Sequence, residues 1–192
     1  MRYETIINGV DYGPLAALIG KWEGDQGVDI APDPNGEVRE PYFETITFEA
    51  GGTLSNAKEQ TLVIVPYLQV VSRKSTGEVF HHQVGYWNWD PATGVIMESL
   101  TVPRGLALLA GGKYPLLEQY TSPIDLVVQV ELGAADWGIA QSPFMRDKAK
   151  TTSFTHKLSV ENETLTYSES TMLEIYGKTF DHIDKNTLKR VQ

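Results

Sequence analysis

The chain has 192 residues, 41% of them apolar or aromatic, which is enough to bury a sizeable core without covalent staples, and a single domain over 1–192 is expected. It contains no cysteine, so disulfides, thiolate metal sites and cysteine nucleophiles are excluded together. A net charge of −9 argues against nucleic acid or an anionic membrane as the main partner, because both select basic surfaces.

No apolar run approaches the roughly 20 residues of a membrane helix. The opening MRYETIINGVDYG lacks the basic start and long apolar middle of a signal peptide, so a soluble, cytoplasmic protein is expected. GPLAALIG (13–20) is the best helix candidate, with Pro14 suited to a first turn and Gly20 to a stop. Next, LIGKWEGDQG (18–27) sets Trp22 between Lys21 and Glu23, the period of two of a strand with one buried face. DIAPDPNGEVREP (29–41) reads as a long polar loop, after which YFETITFEA (42–50) resumes the strand pattern. EQTLVIVPYLQVVSRK (59–74) is β-rich, and Pro66 predicts a bulge, a bend or a split.

EVFHHQVGYWNWD (78–90) ends in the turn signal DPATG and is followed by VIMESLTV (95–102). RGLALLAGG (104–112) is compatible with a short helix, a hydrophobic strand or a lid loop. DLVVQVEL (125–132), KTTSFTHKLSV (150–160), TLTYSESTMLEIYG (164–177) and NTLKRV (186–191) complete the strands. The basic cluster MRDKAK (145–150) reads as a solvated loop or strand end. Strands joined by tight turns, with one or two short helices, predict an all-β fold. A single closed antiparallel up-and-down barrel of about nine or ten strands buries its edges best and is wide enough to hold a ligand.

A Gly20–Trp22 pair near the start, with Arg190 near the end, resembles lipocalins and fatty-acid-binding proteins of the calycin type. There the tryptophan plugs the closed end of the barrel beneath a last-strand arginine. Gly20, Trp22, Gly24 and Arg190 are therefore the expected closure. More specifically, LIGKWEG, YFETITF, TGEVFHHQVGYW and YGKTFDHIDKNTLKRV resemble, in order, segments of the nitrobindin family of haem-binding β-barrels. The matching positions are Gly20, Trp22 and Gly24, then Gly77, Glu78, His81, Gly85 and Tyr86, then Gly177 and His182. The region 103–150 carries extra material, so the mouth of the barrel is expected to be remodelled.

This resemblance implies b-type haem bound through His182 as the axial ligand to iron, with Asp181, Asp184 or a backbone carbonyl holding the second ring nitrogen. It also implies nitric oxide binding or haem-dependent isomerisation of peroxynitrite. Along 79–89, His81, Gln83, Gly85, Trp87 and Trp89 share one face, and His82, Val84, Tyr86 and Asn88 the other. Both faces carry aromatics, so hydropathy leaves the inward face open. The resemblance favours His81 on the pocket wall and Gly85 beside it, making room for a flat ligand. His82 and His156 are expected to face solvent.

Phe144, Met145, Met172, Phe180, Leu106 and Leu109 are candidates for an apolar lining or for core. No phosphate loop, nucleophile elbow, H-E-x-x-H or EF-hand pattern occurs. The carboxylates, on alternating strand positions, suggest no acid–base pair. Two other readings stand beside the haem protein, a monomer or a homodimer. One is a haem-free carrier or sensor of an apolar small molecule. The other is an enzyme of unrelated mechanism with His81 as acid or base.

Overall fold

A computed structural model describes residues 3–191. Ten strands of one sheet form the barrel, with the short strands Thr53–Asn56 and Gly138–Gln141 added to it: β1 (Gly20–Asp33), β2 (Gly36–Phe48), β3 (Gln60–Arg73), β4 (Val79–Trp89), β5 (Val95–Val102), β6 (Leu106–Lys113), β7 (Ile124–Glu131), β8 (Ala149–Glu161), β9 (Thr164–Ile175) and β10 (Lys178–Val191). Each pairs antiparallel with the next, and β10 returns to β1 with Arg190 opposite Trp22. The seam between β6 and β7 is the shortest pairing, Gln129 opposite Gly111. There the Val127 carbonyl occupies the space of a side chain at Gly112, so the strands can meet only because that residue is glycine. The result is the expected closed up-and-down barrel. Among the described residues no helix is long and apolar enough to cross a membrane.

Several local expectations change. DIAPDPNGEVREP is no loop: it is the hairpin of β1 and β2, paired from Asp29↔Glu40 to Asp33↔Gly36 around a tight turn at residues 34–35. It overhangs the rim, where neither face is fully buried, so it carries no apolar alternation to read. Strand β3 runs unbroken through Pro66. The missing N–H costs nothing there, because the neighbouring chain crosses from β2 to the short strand Thr53–Asn56 at that level. GPLAALIG forms a buried 3₁₀ turn, Gly13–Ala17, and RGLALLAGG supplies β6. MRDKAK divides between the end of a short helix α1 (Pro143–Lys148), N-capped by Ser142, and the start of β8.

One end of the barrel is sealed. Trp22 is fully buried, and its Nε1–H donates to the Leu18 carbonyl at 2.7 Å. The Arg190 guanidinium lies 4.1 Å above the indole and donates to the carbonyls of Ala17 (2.9 Å) and Ile19 at the end of the 3₁₀ turn. Gly20 has φ +134°, and a Cβ there would stand 2.6 Å from Arg190 Nη1, so backbone conformation and space both require glycine. A Cβ at Gly24 would press on Leu188 and Asn186 at 2.9 Å. The arginine thus joins the last strand, the first strand and the turn before it. Replacing it, as in Arg190→Met, is expected to lower stability by about 2 kcal/mol or more, from the lost cation–π contact and charged hydrogen bonds. Urea denaturation measures this, and an unchanged midpoint would refute it.

Candidate functional site

The opposite end of the barrel holds a cavity of about 450 Å³. Its walls come from the ends of strands that meet there: Asp29 and Ala31 on β1, Gln69 and Val71 on β3, Phe80 and His81 on β4, Glu169 and Leu173 on β9, and His182 and Asp184 on β10. Helix α1 brings Phe144 and Met145 over the mouth, and Arg104 enters from the β5–β6 turn. The extra material in 103–150 therefore contributes directly to the cavity. Met172, Phe180, Leu106 and Leu109 do not line it.

His182 reaches the cavity from β10. Its Nε2 is 2.7 Å from Asp29 Oδ1 and 3.5 Å from Asp184 Oδ2. The partner is Asp29 because β10 pairs with β1 in a register that sets Asp184 opposite Asp29. Asp181, the neighbour in sequence, points away and accepts from Ser170 Oγ at 2.6 Å. Burial opposes a charged imidazole, but the hydrogen bond to Asp29 and the charge of Asp184 outweigh it and hold His182 above its usual pKa. Asp29, His182 and Asp184 bring one donor atom each within 4.8 Å of one another, so this corner is where a metal centre would find ligands.

His81 also lines the cavity, and Gln83, Trp87 and Trp89 beneath it are buried, whereas His82, Val84 and Tyr86 are exposed. Burial, with the positive charge of Arg104 acting in the same sense, keeps His81 below the usual histidine pKa. Gly85 departs from expectation. It does not line the cavity, and the space of its absent side chain is taken by the Ser99 carbonyl and the Tyr67 ring, the latter 2.7 Å from where a Cβ would stand.

His156 likewise departs from the solvent-facing position expected of it. It is buried, with Nδ1 2.9 Å from Glu98 Oε2. Between the sealed end and the cavity lies a polar layer that sequence reasoning missed. Glu98, fully buried, also accepts from Tyr67 Oη at 2.8 Å. Glu44, 3% exposed, accepts from Gln69 Nε2 (2.6 Å), Tyr167 Oη (2.9 Å) and Asn186 Nδ2 (2.7 Å). Burial raises Glu44 above the usual carboxylate range, and these donors hold the rise in check. The signal was phase: Glu44 shares its face with Tyr42, Ile46 and Phe48, Glu98 with Ile96 and Leu100, and His156 with Phe154 and Leu158.

A ten-strand antiparallel barrel, sealed at one end by a tryptophan under an arginine and hollow at the other, defines a calycin-like barrel for a small ligand. A family model described as "THAP4-like, heme-binding beta-barrel domain" matches residues 11–190, and the chain belongs to this family. The nitrobindin-like resemblance is thereby borne out. Among solved structures the chain is similar to Rv2717c from M. tuberculosis, at 21% identity and a TM-score of 0.66 over 93% of this chain and 95% of that one. At that identity the likeness speaks to the fold. No curated protein sequence matches the chain.

The buried His156–Glu98 pair makes stability depend on pH. Burial disfavours the imidazolium, but the adjacent Glu98 carboxylate outweighs it and pushes His156 up from 6.5 to about 9. A raised value means that the stabilisation is complete below pH 6.5 and disappears as pH rises through about 9. The urea midpoint is expected to fall across that window by the equivalent of about 3 kcal/mol at most. His156→Gln should be less stable than the wild type at pH 6 and nearly level from there to pH 9. A wild-type profile as flat as the variant's would contradict the pairing.

Proposed function

We propose that the cavity binds b-type haem with His182 as the axial ligand to iron, and that the loaded protein binds nitric oxide or converts peroxynitrite to nitrate. The observation that carries this reading is the placement of His182. Its imidazole stands on the cavity wall with one ring nitrogen held by Asp29 and the other without a hydrogen-bond partner among the described residues. A carboxylate on the second nitrogen is the usual support of a ligating histidine, since it fixes the ring's orientation and raises its basicity.

The other residues fit the group. Val71, Phe80 and Leu173, with Phe144 and Met145 of α1, supply apolar surface for a macrocycle, and Arg104 supplies a cation for its acidic side chains. Bound haem would supply a redox-active iron with an open position for a diatomic ligand. The chain's part is to hold the imidazole, to exclude water beneath α1, and to shape the space on the His81 side. A haem-free carrier or sensor of an apolar small molecule is the poorer reading, because Asp29, Glu169, His182 and Asp184 face the same cavity and a wholly apolar guest would offer them no polar partners.

The test is titration of the purified protein with hemin. A Soret band is expected, which His182→Ala abolishes, and Asp29→Ala should weaken hemin binding about 10- to 100-fold while leaving the band's origin unchanged. Hemin binding no tighter than to an unrelated control protein would overturn the proposal.

A further inference from the structure

A chain of hydrogen bonds runs from the polar layer to the cavity wall. Tyr67 Oη lies 2.8 Å from Glu98 Oε1, Gln83 Nε2 lies 2.7 Å from Tyr67 Oη, and Gln83 Oε1 lies 3.3 Å from His81 Nε2. The donors and acceptors along it are dictated from the buried end. An ionised Glu98, already receiving the His156 Nδ1–H, can only accept, so Tyr67 must give it its single hydroxyl hydrogen. The Tyr67 oxygen is then free only to accept, and Gln83 must turn its NH₂ group toward it. That leaves the Gln83 carbonyl oxygen facing His81, and a carbonyl oxygen requires a hydrogen on His81 Nε2.

We infer that Glu98 is a positioning residue which, acting through Tyr67 and Gln83, holds His81 as its Nε2–H tautomer, so that His81 meets a cavity ligand through the lone pair of Nδ1. His81 then recognises an O–H or N–H group on the ligand, or takes a proton from it, and does not donate to an anion. Gly85 belongs to the same device. It stands opposite Tyr67 across the β3–β4 pair, and a Cβ there would meet both the Ser99 carbonyl of β5 and the tyrosine ring that reaches Glu98. No tabulated motif would have joined these residues, because they lie on three strands. None of this depends on haem, since it concerns the wall of the cavity and the protein's own interior.

The test uses the ¹⁵N-labelled full chain without added ligand, with long-range ¹H–¹⁵N correlation spectra at neutral pH and His81→Gln to assign the signals among the four histidines. The wild type should show His81 as the Nε2–H tautomer in about tenfold or greater excess, the bias that one hydrogen bond sustains. Tyr67→Phe should cut the chain and lower that excess toward the modest Nε2–H preference of an unconstrained histidine. Glu98→Gln should do the same, because an amide can present either a donor or an acceptor to Tyr67. It serves as the second variant should Tyr67→Phe fail to fold. A wild-type His81 carrying its hydrogen on Nδ1 would overturn the inference. So would a tautomer ratio unmoved in whichever variant folds.

Discussion

Two carboxyl groups lie in the middle of the barrel, and five side chains hydrogen-bond to them. Moving a carboxylate out of water costs several kcal/mol even after relaxation, and leaving one oxygen unmet adds to that cost. Glu44 collects two amide groups and a phenol, and Glu98 a phenol and an imidazole. Those donors come from β3, β8, β9 and β10, so the two acids hold together strands on opposite sides of the tube. A ten-strand barrel is too wide for its side chains to fill with apolar groups alone, and this layer occupies the middle of it.

The same demand polarises the interior. Every donor spent on a buried carboxylate is one that cannot face the ligand. Tyr167 gives its hydroxyl hydrogen to Glu44, so Tyr42, 2.8 Å away, gives its own to Tyr167. At Tyr42 and His81, which both line the cavity, the two networks thus present acceptors. Hydrogen bonds that stabilise the fold therefore also set what the cavity wall can recognise.

The two ends of the barrel divide the labour. At the Trp22 end, indole, guanidinium and 3₁₀ turn form a dry and interlocked seal in which the last strand touches the first. At the other end, the strands splay around His182 and His81 beneath a six-residue helix whose Phe144 is 70% exposed. The β10–β1 register at the cavity end, beyond an irregularity between Lys185 and Lys189, is what brings Asp29 to His182.

The barrel was legible in the chain because its cause is local: alternation of side chains along each strand and turn residues between strands. The burial of Trp22 was legible for the same reason, whereas its pairing with Arg190 beside Gly20 came from the resemblance to lipocalins and fatty-acid-binding proteins. His182 and His81 could be named from the order of segments, but their partners could not. Asp29 lies 153 positions from His182, and only the β1–β10 register joins them. Glu44, Glu98 and His156 were written in phase with apolar neighbours, yet a charged residue in that phase reads as an exception until its partners are known. Alternation tells a side chain which face to take, so the sequence by itself determined the strands and the tube. Which side chains then met inside was decided by closure, because hydrogen bonds across a barrel depend on shear and register between strands distant in the chain.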